Sequence, residues 1–157
     1  MQEVIMIASH VMSESVKTLP HTTTVTDAII LLKSSHLNDV PVIDDNQRVV
    51  GTVTAKSILH HALPDYVNSK LLATMQAAPD IQSMYKNIAY ILQNSISIVL
   101  DTDIVTVKPA TATSAIGAML VGLNHDTHNI LVIDEADKLV GIISARDILN
   151  RLQVKPG

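Results

Sequence analysis

Val40-Pro41-Val42-Ile43-Asp44-Asp45, continued by Val49-Val50-Gly51-Thr52-Val53-Thr54-Ala55-Lys56-Ser57-Ile58-Leu59, decides the fold, because the chain carries this stretch twice. The second copy is Ile130-Leu131-Val132-Ile133-Asp134-Glu135, continued by Leu139-Val140-Gly141-Ile142-Ile143-Ser144-Ala145-Arg146-Asp147-Ile148-Leu149. The copies run in register at a spacing of 90, and nearly every position is identical or chemically similar. Two matched blocks in the same order are an internal repeat, and a repeat sets the architecture before any single element is assigned.

Working upstream, Val16-Lys17-Thr18-Leu19-Pro20 resembles Val105-Thr106-Val107-Lys108-Pro109, at a spacing of 88 or 89. One or two residues are therefore inserted in the second copy, and His125-Asp126-Thr127-His128 is the expected place. Each unit reads the same way. A short strand (Val16 to Leu19; Ile104 to Lys108) leads to a Thr/Pro-rich turn, where Thr24, or a residue from Thr111 to Ser114, can cap a helix. That helix has apolar residues at Ala28, Leu31 and Leu32, or at Ile116, Met119 and Leu120, the spacing of one buried face. A strand follows (Val40 to Ile43; Ile130 to Ile133), then a turn at Asp44–Gln47 or Asp134–Lys138. A second strand (Val49 to Val53; Leu139 to Ile143) passes at Thr54 or Ser144 into a closing helix. The fold class is α/β (α+β): two tandem β-α-β-β-α repeats. One unit of this size cannot cover both faces of its small sheet, so the two are expected to pack sheet to sheet with pseudo-twofold symmetry. The expected boundaries are 8–63 for the first repeat, 64–95 for a linker with an amphipathic helix, and 96–153 for the second repeat.

Composition agrees. Of 157 residues, 47 % are apolar, with no Phe and no Trp. A core of Ile, Val, Leu, Ala and Met suits sheets covered by helices. The formal charge of −4 gives no basic footprint for a nucleic acid. With no cysteine, disulfides, thiol nucleophiles and Cys-type zinc sites are excluded. The opening MQEVIMIASHVM is too short and polar for a signal peptide, and no apolar run approaches a bilayer-spanning length. The expectation is a cytoplasmic protein without nucleic-acid or membrane partners.

These residues resemble a CBS domain pair, the Bateman module named after cystathionine beta-synthase. The motif is a hydrophobic-Pro-Val-hydrophobic-Asp strand, then Gly-x-hydrophobic-[Ser/Thr]-x-x-Asp opening a helix. It is matched, with one departure in each copy, by Val40 to Asp44 with Gly51 to Ser57, and by Ile130 to Asp134 with Gly141 to Asp147. The resemblance implies an adenosine-containing regulatory ligand, namely AMP, ADP, ATP or S-adenosylmethionine, with no cofactor required. It also implies a homodimer, a regulated partner protein and no catalysis. With no second functional domain attached, the chain resembles a free-standing sensor or adaptor.

The residues themselves suggest how such a ligand is held. Ser144 stands where a strand passes into a helix, a place that favours phosphate. Asp147, three residues on, can accept from both hydroxyls of a ribose, and the Arg146 guanidinium suits phosphate. The same Ser144-x-x-Asp147 is also a capping box, and the two roles do not exclude each other. By resemblance the base lies against Thr106, Val107 and Pro109, with Asn129 and Ile130. The first repeat offers Thr18, Val40, Thr54, Lys56 and Ser57. There Ser57 replaces the ribose carboxylate, so a weak or vestigial site is expected. In the second repeat Leu131 replaces the usual Pro.

Other features read more plainly. Asp44, Asp45, Asp134, Glu135 and Asp137 are turn formers. The seven histidines, His60-His61 and His125-x-x-His128 among them, show no metal-site spacing with a supporting shell. No nucleophile elbow, phosphate loop or dinucleotide fingerprint is present, so no catalytic residue is assigned. Ile81, Met84, Tyr85, Ile88, Ile91 and Leu92 fall at helical spacing in the linker, which also holds Tyr66 and Tyr90. That helix either pads the pair or offers a partner or dimer surface. The competing reading is a ligand-independent homodimeric scaffold or protein-interaction module.

Overall fold

The structure, a computed structural model, describes residues 6–63, 81–122, 129–152 and 157. The element order is α1 (Ala8–Val11), β1 (Leu19–Pro20), α2 (Val25–Ser35), β2 (Asp39–Ile43), β3 (Val49–Thr54), α3 (Ala55–Ala62), α4 (Ile81–Leu92), a 3-10 turn (Ile96–Val99), β4 (Thr106–Val107), α5 (Thr113–Gly122), β5 (Asn129–Ile133), β6 (Leu139–Ser144) and α6 (Ala145–Asn150). There are two three-stranded sheets, β1-β2-β3 and β4-β5-β6. The repeat of β-α-β-β-α is therefore present twice. The expected insertion at His125 to His128, together with Tyr66 and residues 64–80, lies outside the described residues. The flanking elements show its size: α2 and α5 begin 88 apart, whereas β2 and β5 begin 90 apart, a gain of two residues.

The leading strands are shorter than their sequence suggests, two residues each. Leu19 pairs with Val42, and Val107 with Val132, both in parallel. This register makes Thr18 the counterpart of Thr106 and sets Pro20 against Lys108. The prolines of the two strand motifs are thus not equivalent. Each hairpin turn is tied by one aspartate. Asp44 Oδ1 accepts from the Asn46 and Arg48 N–H groups at 2.8 and 2.9 Å, and Asp134 Oδ1 from Ala136 and Lys138 at 2.8 and 3.0 Å. These local bonds fix the turn, which is why the strand motif ends in Asp. Gln47 and Asp137 hold the left-handed corner of the two turns, at φ of 66° and 62°.

The chain divides into two compact units: 1–17, 44–49 and 103–157, and 18–43 with 50–102. The partition crosses the sequence order. The leading segment of the first repeat belongs with the second. Ala8 and Val11 are buried in a core with Val107, Ile116, Ile130, Val132 and Ile143, and Met6 and Met12 pack against it. The backbone confirms the attachment: Ala8 N donates to Thr111 O (2.8 Å), Ser9 N to Pro109 O (3.0 Å) and Thr113 N to Met6 O (2.8 Å), while Ser13 and Ile142 exchange bonds of 2.9 and 3.0 Å.

The leading segment of the second repeat does the same for the first. Ile96 N donates to Thr23 O (2.8 Å) and Val25 N to Asn94 O (2.9 Å), while Thr52 and Asp101 exchange bonds of 2.9 and 2.8 Å. Ile91, Ile96 and Val99 are buried there with Val25, Ala28, Val40, Val42, Val53, Ile58 and Ala62. Close approach by the opposite leading segment, through backbone at Gly51 and a side chain at Gly141, explains both motif glycines. A Cβ on Gly51 would lie 2.8 Å from Asp101 O, and one on Gly141 would overlap Met12.

Within the 64–95 segment, the described residues include the helix α4. Met84, Ile88, Ile91 and Leu92 of α4 pack on the core of the first repeat. Tyr85 departs from that face, being exposed together with Gln82, Lys86 and Tyr90. Met119 of α5 is likewise exposed rather than on the buried face, which is carried by Thr113 and Ile116. Among the described residues, no helix is long and apolar enough to cross a membrane.

Candidate ligand site in the second repeat

The sheet gathers several of the predicted residues at one end. β5 and β6 run antiparallel with Asn129 opposite Ser144 and Ile130 opposite Ile143. β4 is parallel to β5, with Thr106 beside Leu131. Asn129 and Ser144 are therefore neighbours at the start of β5 and the end of β6, while Thr106, at the start of β4, lies on the other side of β5 and level with Leu131. Pro109 is placed elsewhere. It follows β4 toward the hairpin end, and its carbonyl is taken by Ser9 N–H. Val107 and Ile130 are core residues and offer a ligand little beyond their backbone.

Ser144 caps α6, as its residue type favours. Its Oγ accepts from Asp147 N at 3.2 Å, while its own N–H and Oγ both donate to Asp147 Oδ2, at 2.7 and 3.0 Å. The capping box is thus present. It consumes one carboxylate oxygen and holds the side chain in a fixed orientation. Oδ1 accepts no bond from the described residues. Asp147 is half-buried, and Arg146 is exposed.

The corresponding corner of the first repeat is closed on itself. Ser57 Oγ accepts from Thr54 N (2.9 Å) and donates to Thr54 O (3.0 Å), and Thr54 Oγ1 accepts from Ser57 N (2.9 Å). Ser57 and Val40 are buried, Thr18 and Thr54 half-buried, and Lys56 exposed. Ser57 has no second polar atom to offer, whereas Asp147 keeps one after capping.

At the other end of the sheet Lys108 Nζ donates to Asp134 O at 2.9 Å and lies 3.7 Å from Asp137 Oδ1. The Asp134 carboxyl is held below its ordinary value of 3.8, first by the Lys138 backbone N–H. The Ala136 N–H and the charges of Lys138 and Lys108 add to this, against an opposing desolvation. Among the described residues, no group of three His, Asp or Glu side chains is placed to hold a metal ion.

An open groove of about 370 Å³ adjoins this site. It is lined by Val11, Met12 and Ser13 on one side and by Asp147, Asn150 and Arg151 of α6 and its cap on the other. Of these six residues, sequence reasoning found only Asp147. The others were missed because the wall at Val11–Ser13 comes from the opposite end of the chain. Arg151 had one local signal, its position one helical turn beyond Asp147.

Solved structures of similar fold agree with this architecture. CBSX2 from Arabidopsis thaliana superposes with a TM-score of 0.69, at 19 % identity over 94 % of both chains. A structure of CBSX2 in complex with AMP gives 0.65 at 21 % identity, covering 92 % of this chain and 93 % of that one. A CBS domain-containing protein of unknown function from Bacillus anthracis gives 0.70 at 18 % identity, covering 92 % and 91 %. The CBS domain family itself matches at two places, residues 8–63 and 96–154. With two matches in tandem and the β-α-β-β-α order in each, the chain belongs to the CBS-domain family as a CBS pair.

Proposed function

We propose that the chain is a regulatory CBS pair that binds an adenosine-containing ligand in its second repeat and signals the bound state to a partner protein. The ligand classes are AMP, ADP, ATP and S-adenosylmethionine. The module acts as a homodimer, in the cytoplasm, without catalysis. The observation that carries the reading is Asp147: its Oδ2 is locked in the cap and its Oδ1 is left to accept from a ribose. Asn129 and Ser144 on neighbouring strands, and Thr106 on the other side of β5, supply further polar atoms. The AMP complex of CBSX2 supports the choice of ligand. In the first repeat, Ser57 spends its hydroxyl on Thr54, so that corner is proposed as vestigial.

The test is thermal melting with each ligand. Saturation at 100 times the dissociation constant adds about 2.7 kcal/mol, a rise of roughly 5–10 °C for a chain of this size. Asp147→Ala should abolish the rise while costing the apo protein only about 1 kcal/mol of capping. No rise with any of the four ligands would refute the reading. It would favour the ligand-independent interaction module, which has its own support: Val121, Tyr90, Leu149 and Tyr85 are 88, 74, 63 and 62 % exposed. Tyr85 and Tyr90 are both on α4, and aromatic residues are enriched at protein interfaces.

A further inference from the structure

The sequence suggests Arg146 as the cation for an anionic ligand, but the structure puts Arg146 outside the groove beside Asp147. Arg151 lines that groove instead, with Asn150 and, across from them, Val11, Met12 and Ser13. Asp147 and Arg151 are four residues apart on one helical face, an axial separation of about 6 Å. They carry opposite charges yet do not pair: Oδ2 of Asp147 is turned into the cap. Among the described residues, the Arg151 guanidinium forms no ion pair. An acceptor and a cation are therefore both presented to the same space, one turn apart, facing an apolar wall of Val11 and Met12.

The internal repeat supplies a control. The positions equivalent to Asp147, Asn150 and Arg151 are Ser57, His60 and His61. There His61 Nδ1 lies 2.9 Å from the Ser57 carbonyl, a bond within its own helix. The carboxylate and the guanidinium are thus present together only in the second repeat. The α6 terminus is a weaker alternative for the anion: the helix has only six residues, and the capping box already takes its Asp147 N–H and sets the Asp147 carboxylate beside it.

We infer that Arg151 is the residue that binds the anionic group of the ligand, and that Met12 and Ser13 form the opposite wall of the same site. This rests on the adenosine reading of Asp147 and adds to it the residues that select a nucleotide over a nucleoside. A ribose hydroxyl donates to Asp147 Oδ1, and the phosphate one helical turn along accepts from Arg151. The apolar body lies against the Met12 thioether, a soft and adaptable surface.

The experiment is calorimetric titration of the full chain with AMP and with adenosine, comparing wild type, Arg151→Gln and Arg146→Gln. Arg151 is exposed, so its substitution leaves the core untouched. Loss of a charge-assisted bond predicts that Arg151→Gln weakens AMP by about ten- to a hundred-fold, leaves adenosine within about two-fold, and is partly rescued by Arg151→Lys. Arg146→Gln should change neither ligand. If AMP binds wild type and Arg151→Gln equally, or if Arg146→Gln carries the loss, the assignment to Arg151 is overturned while the adenosine reading stands. Equal weakening of AMP and adenosine by Arg151→Gln also overturns it, since that is a structural effect. If wild type binds neither compound, the assignment to Arg151 is overturned, and the adenosine reading falls with it only if ADP, ATP and S-adenosylmethionine also give no rise in melting temperature.

Discussion

Thr113 opens α5 with its side chain buried and its Oγ1 without a hydrogen-bond partner among the described residues. The equivalent residue of the first repeat, at the start of α2, is Val25, also buried. Their backbones do the same work: Thr113 N donates to Met6 O and Val25 N to Asn94 O. The internal repeat thus names the substitution, Thr113→Val. An unsatisfied buried hydroxyl costs about 1–3 kcal/mol. Valine keeps the β-branched shape and has a similar helix propensity, so little offsets the gain. We expect stabilisation of about 1–2 kcal/mol, or roughly 3–6 °C in Tm for a chain of this length. The reverse exchange, Val25→Thr, places a hydroxyl in the core of the first repeat and should cost about 1–3 kcal/mol. Urea denaturation at fixed temperature, supported by calorimetric melting, reads both variants. If Thr113→Val is neutral or destabilising while Val25→Thr is costly, the Thr113 hydroxyl has a partner and the reasoning fails.

Four further outcomes follow from the turns and glycines. Gly51→Ala should destabilise by about 2 kcal/mol or more, because the new Cβ meets the backbone oxygen of Asp101, which already accepts Thr52 N–H. Gly141→Ala instead meets the Met12 side chain, so Met12→Ala should recover part of its cost in a double-mutant cycle; additive effects would show the two are not in contact. Gln47→Gly relieves a left-handed residue at φ 66° and should gain about 0.5–1 kcal/mol, with Asp137→Gly gaining less because Asp tolerates that region better; denaturation midpoints decide. Asp134 has a depressed folded value, so its charge contributes stability that is fully present above its ordinary 3.8 and is lost as pH falls through the lower folded value. Asp134→Asn keeps an acceptor oxygen but not the charge. Its stability gap to wild type should be constant from about pH 5 to 7 and close below about pH 4, and a gap that widens in acid would contradict this.

The hairpins and closing helices were legible because their information is local. Alternation, an Asp at the turn and a Ser or Thr cap each act within a few residues, and β2, β3, β5, β6, α3 and α6 follow from them. Tyr85 was misplaced on the packed face of α4 because helical spacing alone cannot tell an apolar stripe from an aromatic residue at its margin. The short α1 carries only Ala8-Ser9-His10-Val11, too little for any period to show. Its destination is a tertiary choice that no local rule contains. The same gap explains the site. Ser144 and Asp147 could be read from a cap motif. Met12 and Ser13 join Asp147 only through the bridge from Ser13 to Ile142.

The crossed attachment of the two leading segments bears on how the protein is made. Everything in the unit 18–43 and 50–102 has left the ribosome once Thr102 is out. Met6 to Ser13 are synthesised earlier, yet their bonding partners extend to Ile142. At ordinary elongation rates the first segment waits on the order of ten seconds for its seat. Until Asp101 is made, the equivalent seat against Thr23 and Thr52 also stands vacant, because its own occupant is Ile96 to Asp101. What sorts the two is size. Ile96 is fully buried in its seat, and Ala8, arriving first, would leave that space underfilled, a deficit of about 2–5 kcal/mol. The small residue at position 8 keeps the early segment from settling where the later one belongs.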